Sequence, residues 1–105
     1  IIGYSAMPNM QFDTPIDYYE ATYEGYFIIE IPVSNIIEYV VLKVLDEYGV
    51  SIVEISGIYN PETNIASFDV SDEYANKYAI IEAYSSEKRN IFMTMINIGD
   101  ANDTV

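Results

Sequence analysis

The stretch Ser71-Asp72-Glu73-Tyr74-Ala75-Asn76-Lys77-Tyr78-Ala79-Ile80-Ile81-Glu82-Ala83-Tyr84-Ser85-Ser86-Glu87-Lys88-Arg89 supports two periods at once. Read as a helix, it places Tyr74, Tyr78 and Ile81 at i, i+4 and i+7 on one face, with Ser71 as the N-cap. Asp72 and Glu73 then meet the positive end of the helix dipole, and Lys88 and Arg89 its negative end. Read as a strand, Tyr78, Ile80 and Tyr84 alternate with Ala79, Ile81 and Ala83. The end charges and the alanines agree with the helix, so a helix within 71–89 is the expectation.

Working outward, Asn60-Pro61-Glu62-Thr63-Asn64 is a turn by its chemistry, with proline presetting φ. It joins two strand-like runs, Val50 to Tyr59 and Ile65 to Val70, as a hairpin. On the other side, Ile91 to Ile98 is apolar at nearly every position, as expected of a strand buried on both faces. Earlier in the chain, Tyr26 to Ile31 is aromatic and β-branched and is ended by Pro32. Ser34 then offers an N-cap, and Ile37, Val40, Val41, Val44, Leu45 and Tyr48 recur at helical spacing up to Gly49, which stands where a C-cap glycine belongs. The opposite face of this helix, 35–48, holds Glu38, Lys43, Asp46 and Glu47, but also Ile36, Tyr39 and Leu42. That second apolar group reads as a contact surface for the N-terminal arm or for a partner.

Residues 1–22 carry Gly3, Pro8, Asn9 and Pro15 among scattered aromatic and aliphatic side chains, and read as an extended N-terminal arm that packs. The expected organisation is this arm, an α+β domain over 23–98, and a C-terminal tail over 99–105. The element order β-α-β-β-α-β gives a ferredoxin-like sandwich, an antiparallel four-stranded sheet with two helices on one face. If 71–89 is a strand instead, the chain has one helix on an antiparallel meander, closer to a cystatin-like wrap. In the ferredoxin-like arrangement the apolar last strand requires the open sheet face to be covered by the arm or by a second copy.

From Tyr26 to about Ile98 the chain resembles an ACT-type regulatory domain. The resemblance is carried by Phe27-Ile28-Ile29-Glu30-Ile31-Pro32-Val33 running into the helix. It continues through Val44-Leu45-Asp46-Glu47-Tyr48-Gly49-Val50-Ser51-Ile52 at the helix-to-strand junction. It implies a ferredoxin-like fold and a regulatory role. The family's amino-acid-binding members carry a Pro-Gly pair before the first helix. The corresponding Val33-Ser34-Asn35-Ile36 has no glycine, so no amino-acid ligand is carried over.

Composition narrows the chemistry. The 105 residues, half of them hydrophobic, are the length of one domain with material for a core. There is no cysteine and no histidine, which removes disulfides, thiolate chemistry, the commonest general base and the commonest transition-metal ligands. No cofactor and no metal site is expected. Asp46-Glu47 and Asp72-Glu73 read as a solvated face and a helix start, because adjacent helix positions do not face each other. Asp100, Asn102 and Asp103 lack the length and glutamate of a calcium loop and read as a polar chain end. No glycine-rich phosphate motif occurs, and the expectation is not an enzyme.

Seventeen acids against four basic residues give a formal charge of −13. Such a field repels nucleic acid and anionic membranes and attracts basic proteins. No run approaches the ~20 apolar residues that span a bilayer as a helix, and Ile1-Ile2 is too short, and lacks the basic flank, to read as a secretory signal. Eleven tyrosines are the remaining oddity. In the arm they interleave with acids, and tyrosine is favoured at interfaces. The candidate partner-binding residues are therefore Tyr18, Tyr19, Glu20, Tyr23 and Glu24 of the arm, with Tyr39 and Leu42 of the helix.

Three functional expectations follow. The first is a non-catalytic binding or regulatory domain that acts through protein contacts and self-associates, with a protein partner that is basic if it is not a second copy. The second is an acidic mimic of nucleic acid, of the viral anti-defence type, that blocks a basic groove. The third is an extracellular filament subunit whose N-terminal arm inserts into its neighbour.

Overall fold

The computed structural model describes residues 18–33 and 36–99, and within them every regular element but one is a strand. The strands are β1 (Tyr19–Tyr23), β2 (Tyr26–Pro32), β3 (Tyr39–Leu45), β4 (Ser51–Ser56), β5 (Ile58–Asn60), β6 (Ile65–Ser71), β7 (Tyr78–Tyr84) and β8 (Asn90–Asn97). The exception is a single 3-10 turn at Asp72–Tyr74. Two four-stranded sheets form, in the orders β1-β2-β6-β5 and β4-β3-β7-β8. All neighbours are antiparallel. The chain changes sheet after β2, β4 and β6. This is the pairing order of an immunoglobulin-type sandwich, A-B-E-D packed on C′-C-F-G.

The architecture overturns the α+β expectation, both the ferredoxin-like sandwich and the cystatin-like alternative, since each needs a helix where the chain forms strands. The ACT-type resemblance falls with them. In the segment read as a helix over 35–48, Val40, Leu42 and Val44 are buried while Tyr39 is exposed and Val41 and Lys43 are half-buried. A nearly continuous apolar run satisfies periods of 2 and 3.6 equally, and here the β-branched valines side with the strand. Gly49 has φ +82, but it serves the β3–β4 turn. There Asp46 Oδ1 accepts from the N–H groups of Tyr48 and Val50 at 2.8 and 2.9 Å. A left-handed glycine suits a hairpin turn as well as a helix end. The N-cap assigned to Ser34 lies outside the described residues.

The same ambiguity decides 71–89. Ser71 does accept a hydrogen bond from Glu73 N–H, at 3.3 Å, but it caps only the 3-10 turn. Beyond it Ala79, Ile81 and Ala83 are fully buried on β7, and Tyr78 is exposed. The alanines alternate with outward residues as a strand requires, Ala79 beside Val44 and Ala83 beside Val40 on the core side of the same sheet. Lys88 and Arg89 belong to the β7–β8 turn, where Lys88 has φ +64 and Ser85 N–H donates to Arg89 O at 3.0 Å. No helix dipole is involved.

The expected strands at Tyr26–Ile31, Ile65–Val70 and Ile91–Ile98 correspond to β2, β6 and β8. Val50–Tyr59 is broken in two at Gly57, where the chain passes from one sheet to the other. Gly57 N–H donates to Val40 O at 3.1 Å. A Cβ here would lie 2.6 Å from Phe68 Cδ2 and 2.8 Å from Ser67 O, so only glycine passes beneath that ring. The hairpin expected around Pro61 is real but short, pairing Ile58, Tyr59 and Asn60 with Ser67, Ala66 and Ile65. Glu24 and Gly25, at φ +47 and +88, form the two-residue turn between β1 and β2, the primed type that matches strand twist.

The core lies between the sheets. Ile29 and Ile31 of β2, Phe68 and Val70 of β6, Val40, Leu42 and Val44 of β3, Ile81 of β7 and Ile96 of β8 are all buried to within 2%. Each alternates with an outward residue, so each sheet keeps one face for the core and one for the surroundings.

Candidate protein-contact surface

The outward positions of β4-β3-β7-β8 make one surface. The ladder sets Tyr39 opposite Tyr84, Val41 opposite Glu82 and Lys43 opposite Ile80. It then sets Glu82 opposite Met93 and Ile80 opposite Met95. Tyr39 and Tyr84 stack with ring centroids 4.8 Å apart and planes 7° from parallel. Beside them Val41, Ile80, Met93 and Met95 are half-buried and apolar, and Tyr78 is exposed.

One polar cluster sits in the middle. Lys43 Nζ lies 3.1 Å from Glu82 Oε1, and the Tyr84 hydroxyl donates to the same oxygen at 2.7 Å. Glu82 is 7% exposed. A carboxylate so placed requires partners, and these two supply them. The hydrogen bond to Glu82 raises the Lys43 pKa above its ordinary value, with burial acting in the opposite sense. Burial, and then the hydrogen bond to Glu82, raises that of Tyr84. Both groups thus hold their protons more tightly than in water; Glu54, exposed on β4 opposite Lys43, adds a second carboxylate to the face.

Toward the β3–β4 turn the face runs into a cleft of about 460 Å³, lined by Leu45, Asp46, Glu47, Gly49, Asn76, Lys77, Tyr78 and Met95. Asp46 is already engaged through Oδ1 in the turn. Among the described residues there is no group of three or more Asp or Glu side chains placed to hold a metal ion. Asp100, Asn102 and Asp103 lie outside them.

The residues singled out from sequence fall in three places. Tyr39 stands on the face just described. Leu42, next but two along β3 and so of opposite parity, is fully buried in the core. The others lie at or beside β1, an edge strand among the described residues. Tyr19 and Tyr23 are exposed, Glu24 is in the turn, and Tyr18 and Glu20 reach toward β8. The structure therefore does not bring the seven together. The residues that join Tyr39 on one face were not singled out: Tyr84, Ile80, Lys43, Glu82, Met93 and Met95. Their signal was present as the alternation Tyr78-x-Ile80-x-Glu82-x-Tyr84 and Met93-x-Met95, legible only once the segments are read as strands.

The opposite outer surface, on β1-β2-β6-β5, differs in charge. Glu30 and Asp69 stand on it, and none of its four strands contains a lysine or arginine. No protein-family model, no curated protein and no solved structure matches the chain, so the functional reading rests on these surfaces and not on fold analogy.

Proposed function

We propose that this chain is a non-catalytic protein-contact domain that self-associates through the outer face of β4-β3-β7-β8. The observation that carries the reading is the stacked Tyr39–Tyr84 pair set among half-buried apolar side chains on this face. Two copies bearing −13 each repel one another over most of their surfaces. Repulsion is least on the face where Lys43 offsets one of two carboxylates, Glu82 beside it and Glu54 opposite it on β4, among apolar and aromatic side chains. Tyrosine and methionine are also the residue types enriched at contact surfaces.

Size sets the expected strength. Four strands about 4.8 Å apart and some 20 Å long present roughly 400 Å² in projection. That is at the small end for a specific interface, so the dimer is weak, with association in the micromolar range or above. Ile80→Glu tests the reading by sedimentation velocity. The new carboxylate stands on the outer side of β7, away from the core between the sheets, while two facing copies gain like charges. Loss of the dimer in a folded Ile80→Glu protein supports the face as the interface. An unchanged dimer places the interface elsewhere. A wild-type chain that stays monomeric at every concentration removes self-association and leaves the acidic exterior, offered to a basic partner, as the working surface.

A further inference from the structure

On the outer face of β1-β2-β6-β5 one row of side chains crosses all four strands. The ladder sets Tyr19 opposite Glu30, Glu30 opposite Ser67, and Ser67 opposite Ile58. A trough of about 420 Å³ opens on this row, lined by Glu30, Ile58, Asn60, Thr63, Ile65 and Ser67. β6 is its floor, where Ile65 and Ser67 are half-buried. Glu30 of β2 stands on one side, and Ile58 of β5, 75% exposed, on the other. The β5–β6 turn closes one end at Thr63, whose N–H donates to Asn60 O at 3.3 Å.

Glu30 is half-buried, and its carboxylate makes no hydrogen bond or ion pair among the described residues. Asp69, a diagonal neighbour on β6 at about 7–8 Å between Cα atoms, adds to the negative potential there. The rest of the chain has no basic side chain to offer. All four are placed: Lys43 on β3, Lys77 at the entry to β7, and Lys88 and Arg89 in the β7–β8 turn, every one of them in the other sheet. The cation that Glu30 lacks therefore has to come from another molecule.

An open carboxylate beside an exposed isoleucine suits a ligand with an apolar stem and a cationic head, the build of a lysine or arginine side chain. Arginine fits better. Its planar fork engages both oxygens of a carboxylate at once. Ser67 and Thr63 line the same trough with hydroxyl groups that accept from the remaining N–H donors. The Tyr19 ring, 39% exposed, stands next to Glu30 and offers a face on which a guanidinium stacks. We propose that this trough receives an arginine side chain of a basic protein partner, its stem against Ile58 and Ile65 and its guanidinium on Glu30. The site does not depend on self-association, because the β4-β3-β7-β8 face lies on the opposite side of the sandwich.

The test is an NMR titration of the full chain with Nα-acetyl-arginine amide, read at the backbone amides of Ile58, Thr63, Ile65 and Ser67. One blocked residue buries little area, so saturable shifts centred on the trough are expected with a Kd on the order of 1–10 mM. Glu30→Gln keeps the side chain's shape and breaks no internal contact, and it weakens binding about tenfold or more. Glu87→Gln makes the same change in net charge in the β7–β8 turn and leaves the Kd within about twofold. Ile58→Ser removes the apolar wall and weakens binding about threefold or more. Nα-acetyl-lysine amide binds about threefold or more weakly than the arginine probe. Shifts scattered over the acidic surface, equal effects of Glu30→Gln and Glu87→Gln, or equal binding of the two probes overturns the proposal. Ile80→Glu is expected to leave the titration unchanged, so failure of the trough and failure of self-association are read separately.

Discussion

Replacing Gly57 by alanine probes the crossing that holds the two sheets in their places. The residue needs no left-handed φ, so backbone strain does not enter, and the cost comes from contact alone. The added methyl falls 2.6 Å from Phe68 Cδ2 and 2.8 Å from Ser67 O, and closer still to Phe68 Cε2. Carbon atoms rest about 3.5–4.0 Å apart, so the ring or the crossing strand must shift by roughly 1 Å. Phe68 is 1% exposed and stands opposite Ile29, which leaves little room. The expected cost is about 2–3 kcal/mol, toward the upper part of the range for overpacked cores. In a domain of this size that lowers Tm by about 10–20 °C, read by urea and thermal unfolding with an unchanged m-value. Gly25→Ala is the contrasting control: φ is +88 and nothing lies within 4 Å, so only backbone strain of about 1 kcal/mol is expected. The double variant Gly57→Ala/Phe68→Leu is expected to recover about 1 kcal/mol of coupling relative to the sum of the single changes. A Gly57→Ala protein as stable as the parent, or strict additivity with Phe68→Leu, refutes the reasoning.

Three further outcomes are expected. Lys43 and Tyr84 both have folded pKa values raised above their ordinary 10.5 and 10.0, so their contribution is complete below those ordinary values and is lost as pH rises through the raised ones. Urea midpoints compared at neutral and strongly alkaline pH should fall less steeply in Glu82→Gln than in the parent, and equal slopes would count against the cluster. Glu20→Ala removes the acceptor of Gly99 N–H and is expected to cost about 1–3 kcal/mol. Its local signature is faster amide exchange at Gly99, with Glu20→Gln closer to the parent. Tyr39→Ala removes the stack on Tyr84 and costs about 1 kcal/mol beyond the lost area; near-UV circular dichroism and unfolding together check it.

How far the fold was legible depended on whether a segment admits one period or two. Tyr26–Ile31 and Ile65–Val70 lie between Gly25, Pro32 and the Asn60–Asn64 turn, which leave room for strands and nothing longer, and both are strands. The segment Ile36–Tyr48 is long enough for a helix, and its apolar residues are so dense that any face looks amphipathic. Packing of Val40, Leu42 and Val44 against β7 and the opposite sheet is what selects the strand, and that is a tertiary fact. In Ser71–Arg89 the ends and the middle belong to different elements. Ser71, Asp72 and Glu73 make a 3-10 turn, Tyr78–Tyr84 a strand, and Lys88 and Arg89 the next turn. The charges fit a helix only when all three are taken as one piece.

The contact face suffered from the same ambiguity. Tyr39 and Leu42 were placed together because three residues apart is one face of a helix. On a strand the same spacing puts them on opposite faces, one outside on Tyr84 and one in the core. The Lys43–Glu82 pair spans 39 residues of sequence and joins two strands through a register that no local pattern specifies. The tyrosines around β1 are conspicuous in composition, while the surface they contribute to is set by where β1 lies, at a sheet edge among the described residues.

The most direct test of the central claim is light scattering of the intact chain from low to high micromolar concentration, at low salt and at about 0.3 M, where charges more than about 6–10 Å apart are screened. Face-to-face pairing against a repulsion of −13 on each copy predicts a mass that rises from 11.9 kDa toward twice that value. It also predicts that added salt strengthens the pairing. A mass fixed at 11.9 kDa under all conditions, or a dimer that dissociates as salt is added, contradicts it.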